Sequence, residues 1–144
     1  MILVLSCGYY LASFMLLLTV MIYPTTSQHF EFFKKECNRF LNEFGLIEYR
    51  LFFYHEDIKK SMATCRAQFD NKVVSLTLNK KWSDKPTKQE LSNTAFHEVL
   101  HILLAGLIYI GEARFINDGE FDVEEELVVS KLEAFIKSKK CLDN

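Results

Sequence analysis

The stretch TKQELSNTAFHEVLHILLAG, residues 87–106, sets the tightest limit on what this chain can fold into. Thr87 followed three residues later by Glu90 makes a capping box, in which hydroxyl and carboxylate satisfy free backbone N–H groups of a first helical turn. Leu91, Ala95, Val99 and Ile102 then recur at helical spacing, and Leu100, Leu103 and Leu104 widen the apolar surface. The pattern predicts a long helix from about 88 to 106, buried on most sides. Gly106 is a candidate stop, and Gly111 another one turn further on. The rest of the chain has to supply the elements that cover this helix.

Inside the helix lies His97-Glu98-Val99-Leu100-His101. Four residues advance a helix by about 400°, so both imidazoles stand one turn apart on one face and can reach one Zn²⁺. Glu98 is about 100° around from His97, placed to reach a water at the metal without ligating it. Zinc acidifies such a water, and a glutamate base takes its proton as the oxygen attacks a carbonyl. A catalytic zinc needs a third protein ligand and an open position. No histidine follows His101, so that ligand is expected to be a carboxylate: Glu112, Asp118, Glu120, Asp122, Glu124, Glu125 or Glu126. On a helical wheel of the acidic tail, with Val128 at zero, the apolar face centres near +15°, between Leu132 and Phe135. Glu125 then falls at about +60°, Glu124 at about −40° and Glu126 at about 160°, on the solvent side. Glu125 is the first choice and Glu124 the second, and Glu125 also fits as a plain capping residue for Asp122. The bland reading of the whole motif is a pair of packed or surface histidines with a salt-bridging glutamate.

Around this motif the chain reads as mixed α and β. Thr26 or Ser27 can cap a helix in which Phe33, Cys37, Phe40, Leu41 and Phe44 recur, ended by Gly45. Residues 47–54, 62–69 and 73–78 have strand composition, and Asp70-Asn71 suggests a hairpin between the last two. Residues 80–86 read as a loop. A last helix ends near Lys140 and begins at a cap at Asn117 or Asp122. His29 belongs to a helix start and His55 to a strand end. Tyr109 and Arg114 lie near enough in the chain to meet a substrate, and Trp82 reads as a hydrophobic plug.

Residues 1–23 carry no charge and match one membrane-spanning helix in length. Read as a span, they place the remainder in the cytoplasm through Lys34, Lys35 and Arg39, tethered to the membrane. Read as soluble, they are a buried element or a stretch upstream of a later start at Met15 or Met21. The domain proper is taken as residues 24–144. Cysteines at 7, 37, 65 and 141 form no C-x-x-C pair and are read as free thiols in a reducing compartment. Residues 30–88 carry twelve Lys/Arg against eight Asp/Glu, and residues 89–144 carry five against eleven. With a net charge of −2 and no clustered basic motif, no nucleic-acid partner is expected.

The chain resembles a family of small, largely uncharacterised zinc metallopeptidases of phages and prophages. These look like minimal gluzincins and are loosely similar to SprT-like proteases. The likeness covers about residues 30–140. It is carried by VVSLTLN at 73–79, TAFHEVLH at 94–101, Arg114-Phe115-Ile116 and the closing Glu-rich helix. The resemblance implies an α+β zincin-like fold, a peptide or protein substrate and metal-dependent hydrolysis. It implies Zn²⁺ held by His97, His101 and Glu125, with Glu98 as catalytic base, and a last helix starting near Asn117. In that picture an edge strand, residues 73–78, aligns an extended peptide. The rivals are a non-catalytic zinc-binding interaction module on the same scaffold and a membrane-tethered structural protein in which the histidines only pack.

Overall fold

A computed structural model describes residues 22–112 and 118–140. The order of elements is β1 (Tyr23–Pro24), α1 (Ser27–Glu43), β2 (Arg50–Glu56), β3 (Ala63–Gln68), β4 (Val73–Asn79), β5 (Lys81–Trp82), α2 (Lys88–Leu103), α3 (Ala105–Glu112) and α4 (Asp118–Lys140). The fold is α+β. Most of the leader, the Asn117 cap, Arg114, Cys7 and Cys141 fall outside the described residues.

The main sheet has the order β2-β4-β3. β3 and β4 form the expected antiparallel hairpin, with Gln68 opposite Val73 and Lys72 left-handed (φ 50) closing the loop. β2, however, runs parallel to β4, with Arg50 opposite Val73, so the sheet is mixed rather than largely antiparallel. Residues 73–78, expected at an edge, form the central strand, paired on both sides. The reason is visible in their alternation. Val74, Leu76 and Leu78 are completely buried on the helix-covered face, while Val73, Ser75 and Thr77 stay half-buried on the other. β2 begins at Arg50 rather than Ile47. Gly45 (φ 65) ends α1 in a left-handed turn, Leu46 drops into the core, and Ile47 is left in solvent.

α1 is capped by Thr26, whose hydroxyl accepts from the His29 N–H while His29 Nδ1 accepts from the Thr26 N–H. That is the role of His29. His55 lies on β2, stacked on Phe30 with ring centroids 5.1 Å apart. The Thr25 hydroxyl donates to the Asn79 carbonyl, so His55 Nε2 donates to Thr25 across 2.7 Å. Neither histidine belongs to the motif's surroundings. The 80–86 segment is not all loop: Lys81 and Trp82 pair with Tyr23 and Pro24. Asn79 secures this corner. Its side chain accepts from the Ile58 and Lys81 N–H groups and donates to the Ile58 and Ser61 carbonyls. Trp82 is the expected plug, buried with its indole N–H donating to the Met62 carbonyl.

α2 packs on α1 and on β3. Phe96 meets Phe40 of α1 edge-on at 5.0 Å and lies beside Phe44 and Phe135. Phe44 and Phe135 stack at 4.4 Å and so fix α4 to the end of α1. The predicted 88–106 helix is two helices. α2 ends at Leu103 with Leu104 as its cap, and α3 continues at an angle of 45°, with Gly106 inside α3. Among the described residues no single helix is long and apolar enough to cross a membrane, although the bent α2–α3 pair reaches the required length and composition.

One polar link joins α1 to α2. Glu36 is buried, accepts from the Arg39 guanidinium at 2.6 Å, and accepts from the Ser92 hydroxyl at 2.6 Å. The Arg39 bond, reinforced by Ser92, holds its carboxyl below the ordinary 4.5. A lowered carboxyl stabilises the fold above its unfolded pKa, and that contribution is lost as pH falls through the folded one. Glu36→Gln is therefore expected to cost about 1–3 kcal/mol at neutral pH and progressively less in acid. Urea denaturation of both proteins across that range checks it; an equal difference at every pH would refute the linkage.

Candidate functional site

The two faces of α2 have different jobs. Leu91, Ala95, Val99 and Ile102 are buried in the core, while His97 and His101 are exposed on the opposite side. Their rings stand 4.9 Å apart, centroid to centroid, and nearly perpendicular at 87°. Two imidazoles bound to one zinc at about 2.0–2.1 Å would have centroids about 5 Å apart, so the pair has the spacing a shared metal requires.

Glu98 is only 5 % exposed. It lies between α2 and β3, where Ala63, Cys65 and Ala67 alternate toward the helix with small side chains. Among the described residues it makes no hydrogen bond. Its stem is enclosed by α2 and β3, while its carboxylate opens onto the cleft rather than into the core. Burial raises its pKa above 4.5, and His97 partly offsets this. Cys65 shares the space, and burial together with the Glu98 carboxylate pushes its thiol up to about 12. Cys65 and Cys37 are free thiols, as expected.

His97, Glu98 and His101 open together onto one cleft of about 490 Å³. Its opposite wall is β3 and the loop after it, and α3 closes one end with Ala105, Ile108, Tyr109 and Glu112. β3 is an edge strand, so its free edge borders the cleft.

The carboxylates of α4 stand elsewhere. Glu125 is exposed and does not line the cleft. Glu124 is half-buried, with its carboxylate directly over Gly106 of α3. The docked face of α4 runs through Glu124, Val128, Lys131 and Phe135, whereas Leu132 and Ile136 are exposed. The wheel drawn from apolar residues alone is rotated because it centres the face near Leu132. Lys131 shifts the contact toward its own side by reaching the Gly45 carbonyl at 3.3 Å and Glu48 at 3.6 Å. Of the seven candidate third ligands, Glu112 lines the cleft, Glu124 faces α3, and Glu120, Asp122, Glu125 and Glu126 are exposed. The Asp118 side chain is outside the described set. Among the described residues no three His, Cys, Asp or Glu side chains are gathered closely enough to hold a metal ion. The two histidines and Glu98 share one cleft, and among the described residues no third donor is gathered beside them. Sequence reasoning did not single out β3 as the wall of the site; the small Ala63, Cys65 and Ala67 at alternate positions were the available signal.

Gly106 leaves room for Glu124. A methyl group there would run into the Glu124 carboxylate and come within 3.0 Å of Phe69 Cε2. Gly106→Ala gains about 1 kcal/mol of helix propensity but overpacks by about 1–3 kcal/mol, so a net loss is expected. Gly106→Ala/Glu124→Ala should recover more than Glu124→Ala alone predicts. Thermal unfolding of the four proteins in a double-mutant cycle measures the coupling, and strict additivity would show that the contact carries no energy.

The chain matches no protein-family model, no curated protein and no solved structure.

Proposed function

We propose that this chain is a zinc-dependent peptidase of zincin type, with His97 and His101 as metal ligands and Glu98 as general base. The observation that carries the reading is Glu98: a residue only 5 % exposed, whose carboxylate makes no hydrogen bond among the described residues and opens onto the cleft that both exposed imidazoles face. Zinc bound there would supply Lewis acidity to a water and to the scissile carbonyl.

The chain's own residues account for the remainder. Burial makes the Glu98 carboxylate a stronger base than one in water, which suits it to accept a proton from a nucleophilic water and return it to the leaving amine. The free edge of β3 offers backbone N–H and C=O groups along the cleft, where an extended peptide could add as a further strand. β3 replaces residues 73–78 in this role, because β4 has no free edge. For the third ligand, the resemblance favours Glu125, while the docked face of α4 favours Glu124. The two stand about 100° apart on α4, so only one of them can share the face docked through Val128, Lys131 and Phe135.

Elemental mass spectrometry of metal-loaded protein tests the site. About one zinc per chain is expected in wild type and Glu98→Gln, with loss in His97→Ala and in whichever of Glu124→Gln and Glu125→Gln removes a ligand. Cleavage of a mixed peptide library by wild type should fall about 10²–10⁴-fold in Glu98→Gln. Full zinc with no cleavage would favour a non-catalytic interaction module. No zinc in wild type would leave the motif as a pair of surface histidines.

A further inference from the structure

One ring contact builds the end of the cleft. Phe69, in the β3–β4 loop, meets Tyr109 of α3 with centroids 5.4 Å apart and planes tilted by 36°. Asp70 follows Phe69 in the chain, and Glu112 lies one helical turn beyond Tyr109. The ring contact therefore draws both carboxylates to the same end, and both line the cleft. Ile108 adds apolar surface between them and the histidines' helix.

The charge of this space is one-sided. Asp70, Glu98 and Glu112 line it, and among its described lining residues there is no Lys or Arg. The nearest basic residue in the loop, Lys72, does not line the cleft and sits behind its Phe69 wall. Its ammonium lies over the Phe69 ring at 3.6 Å and the Tyr49 ring at 5.1 Å, and it lines the small neighbouring cavity with Glu124 instead. Glu98, 5 % exposed and without a hydrogen bond among the described residues, faces the same space. A cation at the histidines would offset Glu98 but leave Asp70 and Glu112 uncompensated.

We propose that this end of the cleft is a subsite for a long basic side chain, a Lys or Arg of a bound peptide. Its methylene stem lies along Phe69, Tyr109 and Ile108, and its cation pairs with Asp70 and Glu112. The inference rests on the peptidase reading for the peptide nature of its ligand. An aromatic shelf with carboxylates at its far end suits a side chain that is apolar along its length and cationic at its tip. An uncharged stem of the same length would leave the carboxylates unpaired, and an acidic one would be repelled.

The test uses zinc-loaded full chain carrying Glu98→Gln, which separates binding from turnover. The probes are acetylated hexa-alanine peptides bearing a single Lys, norleucine or Glu at each position in turn, followed by fluorescence anisotropy competition. At one position Lys should bind about tenfold tighter than norleucine, and Glu weaker than either. Adding Asp70→Asn and Glu112→Gln should erase the Lys preference while zinc content and circular dichroism stay unchanged. Equal binding of Lys and norleucine peptides, or no binding of any Lys peptide, would overturn the proposal. So would loss of zinc in Glu112→Gln, which would make that residue a ligand instead. A Lys preference that persists where wild type cleaves nothing sustains the subsite and removes only the hydrolytic reading. Cleavage without basic preference does the reverse.

Discussion

α2 is held on two sides and open on a third, and the rest of the structure depends on that arrangement. α1 covers one flank through Phe40 and Phe96, and β3 covers another with small side chains. The remaining face carries His97 and His101 into solvent. Glu98 sits at the boundary between the packed and open sides. Because an α-helix turns by about 100° per residue, the residue after an exposed histidine cannot also be exposed on the same face. Packing α2 against β3 therefore partly desolvates the Glu98 carboxylate as a direct consequence of presenting the histidines.

Partial desolvation of that carboxylate costs stability that is offset elsewhere. Two features contribute. The Phe40, Phe44, Phe96 and Phe135 cluster ties three helices at one end of the domain. Asn79 and Trp82 lock the other end, where four backbone groups find partners on one amide and the indole N–H finds the Met62 carbonyl. The site lies between two well-fixed corners, which is how a strained or desolvated group is held in place without collapse of its surroundings.

α4 is attached differently. Among the described residues its contacts include Phe135 at one end, Lys131 to the α1–β2 corner, and Glu124 over Gly106. Val128 is its one buried apolar side chain among the described residues. A helix seated along so narrow a line has its rotation decided by a few polar contacts rather than by a broad hydrophobic stripe. This is why the placement of Glu124 and Glu125 differs from a wheel centred on apolar residues.

Features that depend on local spacing can be read from the residues alone. The capping box at Thr87 and Glu90, the core face of α1, the β3–β4 hairpin and the common face of His97 and His101 were all legible, because helix and strand periods act over a few residues. The tertiary structure decided what depends on neighbours distant in the chain. It set β2 parallel to β4, moved residues 73–78 to the centre of the sheet, and left the free edge beside the site to β3. It bent the long apolar helix after Leu104 and brought Phe69 onto Tyr109, which gathers Asp70 and Glu112. Strand order and the rotation of a docked helix follow from which surfaces meet, and a pattern of apolar positions records only that a surface must be covered, not by what.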